Sequence, residues 1–103
     1  MMNEYKGQPI NEVIGSGGTV LIQYYADWCG PCQMLKPVLE QLATEINDVK
    51  FFRVNIEGFR DLAVSAGIQS IPTVIMYKGG KEAIREAGFK PKHMMEAWIN
   101  NNK

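Results

Sequence analysis

Hydrophobic positions along this chain change period several times, and each change marks an element. Thr19-Val20-Leu21-Ile22-Gln23-Tyr24-Tyr25 is apolar at nearly every position and rich in β-branched and aromatic residues, the signature of a strand covered on both faces. From Met34 the period lengthens: Met34, Leu35, Val38, Leu39, Leu42, Ala43 and Ile46 recur at helical spacing. A second central strand is predicted over Lys50 to Ile56, with Phe52, Val54 and Ile56 on one face. Phe59 to Ala66 reads as a helix stopped by Gly67. Thr73 to Lys78 and Lys81 to Ala87 read as strands joined by a Gly79-Gly80 hairpin turn, the second a charged edge. Pro91 to Ile99 closes the pattern as an amphipathic helix with Met94, Met95, Trp98 and Ile99 inward, and the Asn100-Asn101-Asn102 tail is expected to fray. Near the start, Ile10, Val13 and Ile14 suggest a short helix ending at Gly15-Ser16-Gly17-Gly18. Strands alternating with helices predict an α/β fold, a central mixed sheet flanked by helices on both faces.

Length and charge narrow the function classes. At 103 residues with no linker, repeat or second composition, the expectation is one domain spanning residues 1–103. Eleven Lys and Arg balance eleven Asp and Glu, which argues against a strongly basic fold built for a nucleic-acid backbone and leaves only a local basic patch open. Apolar runs stop at three or four residues, far short of the ~18 that cross a bilayer. Met1-Met2-Asn3-Glu4-Tyr5-Lys6 lacks the apolar centre of a secretory signal, which makes the cytoplasm, with its reduced thiols, the expected compartment for a full gene product. Ser, His and Asp form no hydrolase constellation, the glycines form no phosphate loop, and His93 has no partner at catalytic spacing.

The chemistry rests on Cys29 and Cys32, the only cysteines, in Trp28-Cys29-Gly30-Pro31-Cys32. As a structural staple the pair would close too short a loop to constrain much of the unfolded chain. Zinc needs four ligands, and the chain offers two thiols and one distant His93, leaving only a cluster shared between subunits. Two buried thiols acting as small hydrophobes is the blander reading. The flanks favour redox chemistry. The pair sits at a strand-to-helix turn, and Pro31 suits the first helical position, which puts Cys29 just outside the helix and Cys32 in its first turn. Free N–H groups and the positive end of the helix dipole favour an anion at Cys29, lowering its pKa and leaving an acidic, exposed sulfur. The i, i+3 spacing puts Cys32 on the same side, where one sulfur can attack a substrate disulfide and the other resolve the mixed disulfide.

Trp-Cys-Gly-Pro-Cys in this setting resembles the active site of the thioredoxin family, and the likeness extends over essentially the whole chain. Ile71-Pro72-Thr73 is similar to the family's Ile-Pro-Thr segment, whose proline bond is cis and faces the sulfurs; Pro37 matches a helix-kinking proline; Gly88 matches a glycine bordering the substrate groove. The resemblance implies the thioredoxin fold, with four to five strands, the first edge strand reduced to Asn3 to Tyr5 or absent. It implies Cys29 as nucleophile and Cys32 as resolving thiol, and a substrate groove of Trp28, Ser70, Ile71, Pro72, Gly88 and Phe89. Trp28, Gly30, Pro31, Gln23, Arg53 and Pro72 would tune the site. It further implies no metal and no cofactor beyond the Cys29–Cys32 disulfide, a thioredoxin reductase as electron donor (typically an NADPH-dependent flavoenzyme), and disulfide-containing protein substrates. The favoured reading is thus a monomeric cytoplasmic protein-disulfide reductase serving cell redox homeostasis. The alternatives are a disulfide oxidase or isomerase, and a non-redox subunit using the groove to bind a partner.

Three positions depart from the family pattern. Gln23 stands where a buried Asp is usual, and an amide can carry neither proton nor charge. Arg53 stands where a Lys is usual; being permanently charged, it is expected to reach solvent or to pair with Glu57 or Asp27. Tyr25 replaces a common Trp, adding a hydroxyl that needs a partner.

Overall fold

The computed structural model describes all 103 residues. The strongly apolar segment forms strand β2 (Thr19–Tyr25), every residue of which is buried. Around it the chain runs β1 (Met2–Glu4), α1 (Ile10–Ile14), β2, α2 (Gly30–Glu45), β3 (Val49–Asn55), α3 (Arg60–Ser65), β4 (Thr73–Lys78), β5 (Lys81–Ala87) and α4 (Lys92–Asn102). The sheet order is β1-β3-β2-β4-β5. β3 runs parallel to both β1 and β2, while β4 is antiparallel to β2 and β5 to β4, so the sheet is mixed. No helix is long and apolar enough to cross a membrane.

Alternation along β2 divides the core in two. Leu21, with Phe51, Val74 and Met76 of neighbouring strands, packs under Leu35, Leu39 and Leu42 of α2 and Met95 and Ile99 of α4. Val20, Ile22 and Tyr24 face the other way, against Val54, Ile75 and Tyr77, beneath α1 and α3. Each fully buried aliphatic side chain contributes about 1.5–3 kcal/mol, so these layers fix the register that places the site. On the second face the Tyr24 and Tyr77 hydroxyls meet at 2.7 Å, a pairing with no local sequence signal. At the β4–β5 hairpin, Gly79 and Gly80 both take positive φ (61° and 82°), as a two-residue I′ turn requires.

The ends of the chain differ from expectation. β1 is present and lies one residue earlier than Asn3 to Tyr5, with the Tyr5 N–H continuing its ladder to the Arg53 carbonyl at 2.8 Å. The Asn tail does not fray. α4 runs on to Asn102, whose side-chain amide donates to the Trp98 carbonyl at 2.7 Å, and the Lys103 carbonyl accepts from Thr19 Oγ1 at 3.2 Å. The inward stripe is Met95, Trp98, Ile99 and Asn102, at i, i+3, i+4 and i+7, and Met94 falls outside it and is exposed.

Candidate active site

β2 delivers the chain at Tyr25 to the short turn Ala26-Asp27-Trp28, and α2 begins immediately after Cys29. Cys29 is the N-cap, in extended conformation, with its Sγ accepting the Cys32 backbone N–H at 3.2 Å. Gly30 therefore takes the first helical position and Pro31 the second, one later than expected; the N–H that Pro31 lacks is still among those a helix start leaves free. Cys29 and Cys32 are joined as a disulfide, their Cα atoms 5.2 Å apart. In this closed state Cys29 is 4% exposed and Cys32 fully buried, so the pair presents a narrower edge than an open, exposed sulfur. Ala26, Tyr25 and the half-buried Ile56 and Ile71 pack around it. Trp28, by contrast, stands 68% exposed beside Cys29.

The second wall comes from the loop before β4. The Ile71–Pro72 peptide is cis, and the Ile71 carbonyl oxygen lies 3.8 Å from Cys29 Sγ. The Ser70 carbonyl accepts from Thr73 Oγ1 at 2.7 Å, and the Pro72 carbonyl from the Gly88 N–H at 2.9 Å. Gly88 has φ 90°, which side chains resist. These bonds bring Ser70, Ile71, Pro72 and Gly88 to the Cys29 side, followed by the partly exposed Phe89.

Beneath the disulfide lies a polar network. Gln23 is fully buried; its Nε2 donates to the Cys32 carbonyl at 3.2 Å, and its Oε1 accepts from Arg53 Nε at 3.2 Å. Arg53 pairs neither with Glu57 nor with Asp27: its Nη1 meets Glu4 Oε1 at 3.4 Å, and its guanidinium carbon sits 3.6 Å from the centre of the Tyr25 ring. The reason is register. Arg53 stands opposite Glu4 on β1 and opposite Gln23 on β2. The Tyr25 hydroxyl finds its partner there too, donating to Glu4 Oε2 at 2.5 Å. Burial, then this bond to Glu4, push the Tyr25 hydroxyl up to about 12 against the pull of Arg53. Glu4 thus closes the network, although nothing local in the sequence marks it; only the pairing of β1 with β3 reveals it. Asp27 contributes its backbone carbonyl, which accepts from the Gln33 amide. His93 lies exposed on α4, and no group of three or more His, Cys, Asp or Glu side chains is placed to hold a metal.

This arrangement matches known proteins. The family model described as Thioredoxin matches residues 4–101. The chain is 41% identical to a thioredoxin of Chlamydia caviae over 102 residues, covering 99% of each. It is 38% identical to thioredoxin-2 of Saccharomyces cerevisiae over 82 residues, 80% of this chain and 79% of that one. Among solved structures, a mutant thioredoxin from Halobacterium salinarum superposes with a TM-score of 0.88 at 30% identity, covering 98% of this chain and 89% of that one. With a Cys-x-x-Cys disulfide at the head of α2 and relatives of this kind along its length, the chain belongs to the thioredoxin family of thiol–disulfide oxidoreductases and has their protein-disulfide reductase activity.

Proposed function

We propose that this chain works as a monomeric, single-domain electron carrier of the cytoplasm, with Cys29 as attacking thiol and Cys32 as resolving thiol. The observation that supports this division most is the position of Cys29 Sγ, which caps α2 and accepts the Cys32 N–H. A thiolate at that atom would keep the same donor and face the positive end of the helix dipole. Cys32 is fully buried, whereas Cys29 keeps 4% exposure.

In the reduced protein, the Cys29 thiolate attacks one sulfur of a substrate disulfide. A Cys29–substrate bond forms, the substrate S–S bond breaks, and the departing sulfur leaves as a thiolate that takes a proton from solvent. Cys32 then loses its proton and attacks Cys29 Sγ, breaking the mixed disulfide and releasing the second substrate thiol. The substrate gains two electrons, and the carrier is left as the Cys29–Cys32 disulfide. As in the family generally, disulfide-bearing proteins are the acceptors and a reductase returns the electrons; here we assign that role to a thioredoxin reductase, with no cofactor in this chain beyond the two sulfurs. Trp28 and Phe89 would supply apolar contact. Backbone groups of Ser70, Ile71, Pro72 and Gly88 would hold an extended substrate segment by strand-like pairing.

The test is insulin reduction with Cys29→Ser and Cys32→Ser variants. Cys29→Ser should be inactive, and Cys32→Ser should accumulate a mixed disulfide instead of turning over. Trapping by Cys29→Ser instead would reverse the roles. A reduction potential close to that of oxidising folding catalysts would reverse the direction of electron flow.

A further inference from the structure

Disulfide exchange takes place at the head of α2 and makes no use of the second core face, beneath α1 and α3. These two helices have five and six residues. At ~1.5 Å per residue they span about 8 and 9 Å, against about 23 Å for the seven residues of β2 beneath them. They cannot tile the face, and a cavity of about 220 Å³ remains between them. Its walls are the half-buried Ile10 and Ile14 of α1 and Leu62 and Ala66 at the end of α3; its floor is Tyr24 and Tyr77.

The floor carries the polar chemistry. Tyr24 lies opposite Thr73 and Tyr77 opposite Val20, so the two rings lean toward each other along the sheet for their hydroxyls to meet at 2.7 Å. Two hydroxyls bring two protons, and the bond between them uses one. The other has no acceptor within the protein, and the two residues are only 1% and 7% exposed. Burial pushes both hydroxyls above the ordinary tyrosine range, so both keep their protons at neutral pH. Glu82, at the mouth, does not take the spare proton. Arg85 Nε and Nη2 hold its two oxygens at 2.7 Å each, and Arg85 also donates to the Ala66 and Gly67 carbonyls. That pair neutralises itself, leaving the opening without a free charge.

We propose that this cavity is a binding site for a small neutral ring compound bearing one carbonyl oxygen, which accepts the spare tyrosine proton while the ring fills the space between α1 and α3. An apolar cavity of about 150 Å³ is enough for benzene, so about 220 Å³ takes one six-membered ring with a substituent. A carbonyl only accepts, which matches a floor with a proton to give. A carboxylate would shed its hydration with no free cation to meet it. The site stands apart from the reaction at Cys29 and Cys32, which touches neither tyrosine.

Cyclohexanone is the probe, titrated into the isotope-labelled disulfide form and followed by amide NMR. Saturating shifts at Ile10, Ile14, Leu62 and Ala66 are expected, with a Kd of about 1–10 mM for so small a ligand. Shifts confined to the exposed apolar residues Trp28, Met34 and Phe89, or shifts still linear well above that range, overturn the proposal. Tyrosine variants separate the hydrogen bond from mere filling. Tyr24→Phe and Tyr77→Phe each leave one hydroxyl with its proton free, so each should bind at least as well as the wild type. The double variant has no proton to give and should bind about two- to tenfold more weakly. Undiminished binding by the double variant overturns the proposal, as does an equal loss in either single variant. Because both partners of the buried bond leave together, the double variant is expected to fold, and all three variants should reduce insulin at the wild-type rate.

Discussion

Replacing Gln23 with Asp places a titrating carboxyl between Arg53 and Cys32, where the chain has a neutral amide. The amide makes two bonds there, one to the Cys32 carbonyl and one from Arg53 Nε, both at 3.2 Å. An ionised carboxyl has no N–H to donate, so it loses the first, and it meets Arg53 from a side chain one methylene shorter. One net hydrogen bond is worth about 0.5–1.5 kcal/mol, so a stability loss of about 1 kcal/mol is expected at neutral pH. Two effects act on the new group: full burial pushes its pKa up, and Arg53 in contact pulls it down by about 1–3 units. Above that pKa the carboxylate cancels the Arg53 charge, and the thiols become less acidic. It can also accept a proton from Cys32 during resolution. General-base help reaches ~10²–10⁴-fold for a well-matched base. A carboxylate bound to a guanidinium is a weak base, so the gain in the resolving step should fall at or below the bottom of that range. The assay is a stopped-flow single turnover with a disulfide substrate across the neutral pH range. An extra inflection and an upward displacement of the thiol limb are expected. An unchanged profile and an unchanged rate would refute the role given to Gln23.

Two further outcomes test the framework around the site. Leu39→Ala removes a fully buried side chain from the α2 layer, where such truncations cost about 2–5 kcal/mol; a drop of ~10 °C or more in melting temperature is expected, while a marginal drop would show that the layer packs loosely. Tyr25, with its hydroxyl pushed up to about 12 against an ordinary 10.0, binds its proton more tightly folded than unfolded. Its contribution is therefore complete below pH 10 and is lost as pH rises toward 12. Urea denaturation at the two ends of that window should show a smaller alkaline loss in Tyr25→Phe, and an equal loss would contradict the assignment.

Much of this molecule was legible because its signals are local. The unbroken apolar run of β2, the period change at Met34 and the Gly79-Gly80 turn each fix an element within a few residues, and the placement of Cys29 at a helix start follows from two neighbouring elements. What escaped depends on residues far apart in the chain. Arg53 meets Glu4 because β1 pairs with β3, a choice that three strand residues hardly advertise. The Asn tail looked frayed by composition, yet Asn102 and Lys103 are held by bonds to Trp98 and Thr19. Gln23 was conspicuous as a departure, but its task, joining a strand to the Cys32 carbonyl, emerged only once α2 lay across β2. Local periodicity reports elements; register and chain-end contacts are tertiary.

The anchoring of the last residue has a practical side. Lys103 docks where β2 starts, through its carbonyl on Thr19 and its ammonium on Asp48 at 2.9 Å. The dithiol sits past the other end of that strand, six residues on, which at ~3.3 Å per residue is about 20 Å away. A fluorophore, resin or fused carrier attached through the carboxyl end would therefore emerge at the pole remote from the sulfurs, leaving the docking rim unobstructed for immobilised capture of substrates.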